Sequence, residues 1–295
     1  LLNHFPGKIA DGVFALGNRH FFNFLVTGKC HALVELGVSC TAPEVVTQLE
    51  ELGMEPDKIG YLVVPHAHFD HLGGLPYFRN VFPRARVVCS RSAAVLMAKP
   101  EVLTQFFQED TAVSAKLEKQ GKGRRTFSWL PGNALQPDVI VGDGDILDLD
   151  YGTTLKFYAA PGHSPCSMAV YLPKSDTLLV SDSLGFFLGP EDNFPIFFYS
   201  YRDYLDSIFR LKEISAATVA AAHEFIFTGE EATNCFDVAF QTAQRLFALI
   251  QNYPGDPVRL IGQLYGYYYR DGLAVYSPEN IRSCIKLLLR RVNEL

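Results

Sequence analysis

The stretch Ile59-Gly60-Tyr61-Leu62-Val63-Val64-Pro65-His66-Ala67-His68-Phe69-Asp70-His71 decides the reading of this chain. Its first half is an apolar, β-branched run of strand length. Its second half places three imidazoles and one carboxylate within six residues. These are the side chains that hold borderline divalent metals. In an extended backbone, residues two apart point the same way, so His66 and His68 converge on one ion. Asp70 and His71 come where the chain turns, within reach of a second ion, and Gly73-Gly74 follow. A strand end with a few surface histidines is the plainer alternative. The ligand density speaks against it.

Three other apolar strands end on a single ligand-type residue. His163 stands in Ala160-Pro161-Gly162-His163-Ser164-Pro165, Asp182 in Leu179-Val180-Ser181-Asp182, and His223 in Ala221-Ala222-His223-Glu224. Strand ends on a rigid sheet edge suit ligands that need fixed geometry. The remaining histidines, His4, His20 and His31, read as structural or surface groups. Glu35, where another apolar strand ends, is placed either to hydrogen-bond a ligand histidine or to form a buried salt bridge. Cys166, three residues past His163, reads as a buried thiol and not a ligand.

The chain has 295 residues, 48% of them hydrophobic, with 23 Phe, enough for a substantial core. A net charge of −6 argues against nucleic acid as partner, because phosphate binding needs a basic surface. Six scattered cysteines without a C-x-x-C pair suggest reduced thiols. With no signal-like start and no run of ~20 apolar residues, the expectation is a cytoplasmic protein without a membrane partner.

Short strands are expected at Val13–Leu16, Phe21–Val26 and His31–Leu36, then a helix from Thr41-Ala-Pro-Glu44, the strand Ile59–Pro65, and strand and helix near 85–98. Residues 100–135 read as a helical insertion, ending near the basic cluster Lys122, Arg124 and Arg125. A second β-rich block runs from Val139 to Val180, followed by a helix over Asp203–Ile214 and a strand over Thr218–Ala222. From residue 230 to 295 the pattern is helical, with Ser277-Pro278 as N-cap and first helical position. The domain expectation is therefore a catalytic unit over 1–229 and a C-terminal helical extension over 230–295.

The ordered set His66-x-His68-x-Asp70-His71, His163, Asp182 and His223 resembles that of the metallo-β-lactamase-fold hydrolases, over roughly residues 10–228. The resemblance implies an α/β fold, a four-layer αββα sandwich with a dinuclear site at the sheet edge. It further implies that His66, His68 and His163 hold one metal, that Asp70, His71 and His223 hold the other, and that Asp182 bridges them. Zinc is the default for such ligands, with iron or manganese as alternatives. Two ions ~3.5–4 Å apart bring a shared water towards ionisation at neutral pH, giving a hydroxide nucleophile. Asp70 can accept its proton. Relatives that reduce oxygen or nitric oxide at di-iron sites carry glutamate where this chain has His68, so the resemblance points to hydrolysis. The chain departs from the family at Ala221-Ala222-His223, which lacks the usual glycine before the last histidine.

The aromatic segment from Gly185 to Tyr201 follows Asp182 and is placed either to wall a substrate cavity or to fill the core. Tyr199 and Tyr201 are candidate oxyanion donors, as tyrosines are in some lactonase relatives. The leading expectation is a hydrolase of a small-molecule ester, thioester or lactone with an apolar portion. It looks similar to the quinolone-signal response thioesterases and, more distantly, to glyoxalase II. The alternatives are a phosphodiesterase on the same metals, and a metal-containing ligand-binding or regulatory protein with little turnover. The Tyr265-Gly-Tyr-Tyr-Tyr269 patch suits either a homodimer interface or internal packing.

Overall fold

The computed structural model describes residues 4–125 and 135–294. One sheet carries seven strands in chain order. β1 (Gly7–Ala10), β2 (Val13–Asn18), β3 (Phe21–Val26) and β4 (His31–Val34) form an antiparallel meander. β5 (Ile59–Val64), β6 (Arg86–Ser90) and β7 (Val139–Val141) then add parallel to β4. Parallel pairs need crossovers. These contain α1 (Ala42–Glu51), α2 (Phe69–Leu72), α3 (Leu75–Val81), α4 (Arg91–Met97) and α5 (Pro100–Lys119).

The second sheet has six strands. In spatial order they are β15 (Ile226–Thr228), β14 (Thr218–Ala221), β11 (Thr177–Ser181), β10 (Met168–Leu172), β9 (Thr154–Ala159) and β8 (Ile146–Asp148). β11 and β14 are the parallel pair here, and the chain between them carries α6 (Tyr201–Lys212). Before α6 a small hairpin forms from β12 (Phe186–Gly189) and β13 (Asp192–Phe194). Three helices follow: α7 (Glu230–Gln251), α8 (Pro257–Tyr268) and α9 (Pro278–Asn293).

The period-two alternation of the strands sorts their side chains into layers. In β5, Tyr61 and Val63 face the second sheet, while Leu62 and Val64 face the cluster under α1, α3 and α4. In β10, Met168 and Val170 meet the first sheet, and Ala169 faces the outer helices. Covered on both faces, β5 reads as a continuous apolar run, not an alternating one. Three core clusters result, one between the sheets and one outside each, which is the expected four-layer αββα sandwich.

α7 and α9 bury Phe236, Ala239, Leu246, Ile285 and Leu288 in the same cluster as the outer face of the second sheet. Ser277 Oγ accepts from Asn280 N at 3.0 Å, capping α9 as its sequence predicted. In the region read as an insertion, α5 buries Leu103, Asp110, Val113, Ser114 and Leu117 along one face. Residues 126–134 of that region lie outside the described ones. β1, β15 and the β12–β13 hairpin were not expected. Each strand is only three or four residues long, too short for a periodicity to emerge. No helix among the described residues is long and apolar enough to cross a membrane.

Candidate metal centre

Every expected ligand sits just beyond the C-terminal end of a strand, on one edge of the sandwich. β5 delivers His66, and His68 is the N-cap of α2, whose single turn carries Asp70 and His71. β9 leads to His163, β11 to Asp182 and β14 to His223. Gly162 cannot be replaced in this arrangement. At φ +131° a Cβ there would lie 2.2 Å from Tyr204 Cα, so glycine lets α6 press against the loop that aims His163.

The structure brings the seven residues together. Ligand atoms of His66, His68 and His163 lie within 4.8 Å of one another, as do those of His66, His71 and Asp182, and those of Asp70, His71 and His223. His68 Nδ1 stands 3.2 Å from His66 Nε2 and 2.9 Å from His163 Nε2. Asp182 Oδ2 lies 3.3 Å from both His71 Nε2 and His163 Nε2, and Asp182 Oδ1 lies 3.4 Å from His223 Nε2. That carboxylate therefore stands between the two histidine groups.

The far ring nitrogens of His66, His71, His163 and His223 are occupied. His66 Nδ1 meets Ser181 Oγ at 3.2 Å, and His71 Nδ1 meets Glu35 Oε2 at 2.7 Å. His163 Nδ1 faces the Ile196 carbonyl at 2.9 Å, and His223 Nδ1 the His20 carbonyl at 2.6 Å. These bonds fix each ring and point its other nitrogen inward. The buried atoms His71 Nε2, His223 Nε2 and Asp182 Oδ1 have no hydrogen-bond partner. Buried polar atoms are ordinarily satisfied, so inward-aimed orphans on a His/Asp donor set fit a pair of divalent ions.

Without ions the cluster is electrostatically divided. Burial, then His71 and His68, hold His66 far below the ordinary imidazole range. Burial and His163 push His68 down to about 3. Burial works against charge on His71 too, but Glu35 and then Asp182 outweigh it and raise it well above its usual value. For Asp182 the burial penalty is overcome by His71, His223 and His163, which keep it ionised.

Three supporting residues share an uncommon backbone. Glu35, Ser181 and Glu224 have φ of +66°, +51° and +59°. Each lies at or just past a strand end, and each side chain stands behind a ligand. Glu35 holds His71 and Ser181 holds His66. Glu224 binds His20 Nδ1 at 2.5 Å and Arg19 Nε at 2.7 Å, steadying the residue whose carbonyl receives His223. The turn His223-Glu224-Phe225 is closed by Phe225 N on the His223 carbonyl at 2.6 Å, with the positive φ at Glu224 and none at Ala222.

A cavity of about 310 Å³ opens beside the ligands. His68, Asp70, His163, Asp182 and His223 form its floor. Phe106 of α5, Phe186, Phe194, Ile196 and Phe198 of the aromatic segment, and Leu273, Ile281 and Leu287 of the C-terminal region wall it. Gln105, Glu109, Asn280 and Ser283 supply polar groups, and no lysine or arginine lines it among the described residues. The aromatic segment thus divides between the two uses foreseen. Phe187 and Phe197 are fully buried core, while the other phenylalanines face the cavity.

The order and spacing of these ligands have a counterpart among known families. The profile described as the metallo-beta-lactamase superfamily matches residues 21–223. The chain belongs to the metallo-β-lactamase superfamily. N-acyl homoserine lactonase AttM of Rhizobium radiobacter is 29% identical over 188 residues, 61% of this chain and 63% of that protein. The nitric oxide reductase of Moorella thermoacetica is 22% identical over 200 residues, 61% of this chain and 42% of that enzyme. The match therefore spans under two thirds of either relative. Among solved structures, a metallo-β-lactamase family protein from Thermus thermophilus superposes with a TM-score of 0.65 at 18% identity. That superposition covers 96% of this chain and 94% of the other.

The tyrosines require a correction. Tyr199 is exposed, and Tyr201 stacks on Phe247 of α7 with ring centroids 4.1 Å apart; neither lines the cavity. Among the described residues, the tyrosine hydroxyl bonded to the His/Asp cluster is that of Tyr276, which donates to Asp70 Oδ2 at 2.6 Å. Burial and Asp70 hold its phenol well above its ordinary value, as the neutral donor. No sequence signal singled out Tyr276. It lies 206 positions from Asp70 and beyond the matched segment. Cys166 stays outside the three ligand groups, its Sγ accepting from Ala67 N at 3.4 Å.

Proposed function

We propose that this chain is a dinuclear metal-dependent hydrolase of an uncharged ester or lactone with an apolar acyl portion, an N-acyl lactone being the first substrate to try. The observation that carries this reading is the apolar cavity whose floor is the ligand cluster itself. An acyl chain lying along Phe194, Ile196, Phe198 and Leu287 puts its carbonyl at the ligand edge, and burial of each methylene contributes about 0.8 kcal/mol. The lactonase relatives support the same class of substrate.

His66, His68 and His163 would hold one ion, Asp70, His71 and His223 the other, and Asp182 would lie between them. Two divalent ions there supply Lewis acidity for the carbonyl oxygen and ready ionisation of a water at neutral pH. The chain's own residues do the rest. A carboxylate offers about four lone-pair sites. Tyr276 takes one of these on Asp70 Oδ2, leaving the group able to accept the attacking water's proton and return it to the leaving oxygen. A substrate seated against the phenylalanine walls would displace water from the ligand edge, which strengthens each of these interactions.

Two features favour hydrolysis of an uncharged substrate over the alternatives. His68 stands where the resemblance puts glutamate in the oxygen- and nitric-oxide-reducing relatives. With no cationic side chain on its walls among the described residues, the cavity lacks the usual partner for a phosphodiester or an acidic tail. The test is metal-loaded protein on a panel of N-acyl homoserine lactones, simple esters, thioesters and a phosphodiester. Lactone or ester turnover that rises with acyl length and vanishes on chelation is expected. Phosphodiester turnover alone, or none at all with both ions bound, would refute the reading.

A further inference from the structure

We propose that the C-terminal segment completes the metal centre: Tyr276 positions the Asp70 carboxylate, and Lys116 of α5 holds Tyr276 in place. This rests on the metal centre described above, and goes beyond it by assigning roles to two residues outside the ligand set, one of them beyond the segment shared with the family.

The hydroxyl of Tyr276 and the Asp70 carboxylate are both buried, and their hydrogen bond is the only side-chain bond to Asp70 other than its ligand-type contacts among the described residues. It ties Oδ2, while Oδ1 lies 3.7 Å from His71 Nε2. A carboxylate on a one-turn helix rotates about its terminal bond unless one oxygen is held. The ring is fixed in turn, edge-on to Phe21, Phe69 and Phe186 at centroid distances of 6.1, 6.2 and 6.4 Å. Phe186 also stacks on His223, so one aromatic cluster backs Tyr276 and a ligand together.

The backbone that carries Tyr276 is anchored from two sides. Lys116 Nζ donates to the carbonyls of Ala274 and Tyr276 and lies 3.4 Å from the hydroxyl of Tyr269, which itself donates to the Tyr276 carbonyl at 3.1 Å. On the other side Gly272 lies against Glu224, where a Cβ would sit 2.3 Å from Oε1. The segment therefore rests on the residue next to His223 and is clamped to α5, which also supplies Phe106 to the cavity.

The test uses the full chain with Tyr276→Phe, which keeps the ring, and Lys116→Met, which keeps the stem. Metal affinity is read by competition against a chromophoric chelator. Asp70 belongs to only one ligand group, so Tyr276→Phe is expected to weaken one ion by about 10–100-fold and leave the other unchanged. Lys116→Met should weaken the same ion by a smaller factor. On whichever ester or lactone the wild type cleaves, kcat of Tyr276→Phe should fall by about tenfold or more, with KM changing by less than about threefold. A wild type that binds no ions would overturn the metal centre itself. Two ions of unaltered affinity and an unaltered kcat in Tyr276→Phe would overturn the role of Tyr276 and leave the centre standing. Wild-type affinity in Lys116→Met would overturn the clamp.

Discussion

Replacing Glu35 by Gln isolates one charge behind the metal centre. Glu35 Oε2 meets His71 Nδ1 at 2.7 Å, and the two side chains are 2% and 1% exposed, so solvent does not screen the contact. Glutamine keeps the shape and an acceptor oxygen. A hydrogen bond to a charged group contributes about 1.5–3 kcal/mol, against about 0.5–1.5 for a neutral one, so the change removes ~1–1.5 kcal/mol of anchoring. Passed to the ion that His71 holds, that is about tenfold in affinity. The amide nitrogen would take the place of Oε1, which has no partner, and burying that donor costs the fold about 1–3 kcal/mol more. Chelator competition reads the first quantity and urea unfolding of the metal-free protein the second. Unaltered affinity for both ions, in a variant that folds, would show that Glu35 does not act through His71.

Three further outcomes are expected. Zinc at a hundred times its dissociation constant should stabilise the fold by about 2.7 kcal/mol, and chelation should lower Tm by several degrees; a Tm indifferent to chelator contradicts the centre. Burial pushes the thiols of Cys89, Cys235 and Cys284 up to about 12, so the folded state keeps them neutral where the unfolded chain ionises them. Their contribution is complete below the ordinary thiol range and is lost as pH rises from about 9 towards 12. Urea midpoints at pH 8 and 10 should differ, and Cys235→Ala should shrink the difference by about 1 kcal/mol. Ser277→Ala removes the cap on Asn280 N and should cost about 1 kcal/mol; a midpoint within error of wild type would show the cap to be idle.

The His/Asp cluster was legible because its members stand at or soon after the ends of apolar strands, a pattern that shows at short range. His66 through His71 announced themselves by density, and His163, Asp182 and His223 by position. Tyr276 was not legible because nothing local distinguishes it from the other tyrosines of the C-terminal region. Its role comes from a fold that carries the short turn Asp271–Val275 and the start of α9 over the sheet edge. Tyr199 and Tyr201 drew attention by closeness to Asp182 in sequence, but the β12–β13 hairpin and the start of α6 turn them away. Glu35 could be foreseen only as a choice between hydrogen bond and salt bridge. Its contact with His71 makes it the support of a ligand. The walls from α5 and α9 belong to tertiary packing, which periodicity does not report.

Glu35, Ser181 and Glu224 each set a left-handed backbone against a buried side-chain contact. Glycine at any of them would relieve a left-handed backbone by roughly 1 kcal/mol, the kind of gain that stability screens collect. It would also delete the side chain behind His71, His66 or His20. At Glu35 and Glu224 the deleted contact is a buried charged one whose loss outweighs that relief, so a library of this protein ranked by melting temperature without metal should keep both and admit glycine only at Ser181, whose 3.2 Å contact is neutral. Ranked with metal present, the same library should hold on to all three side chains.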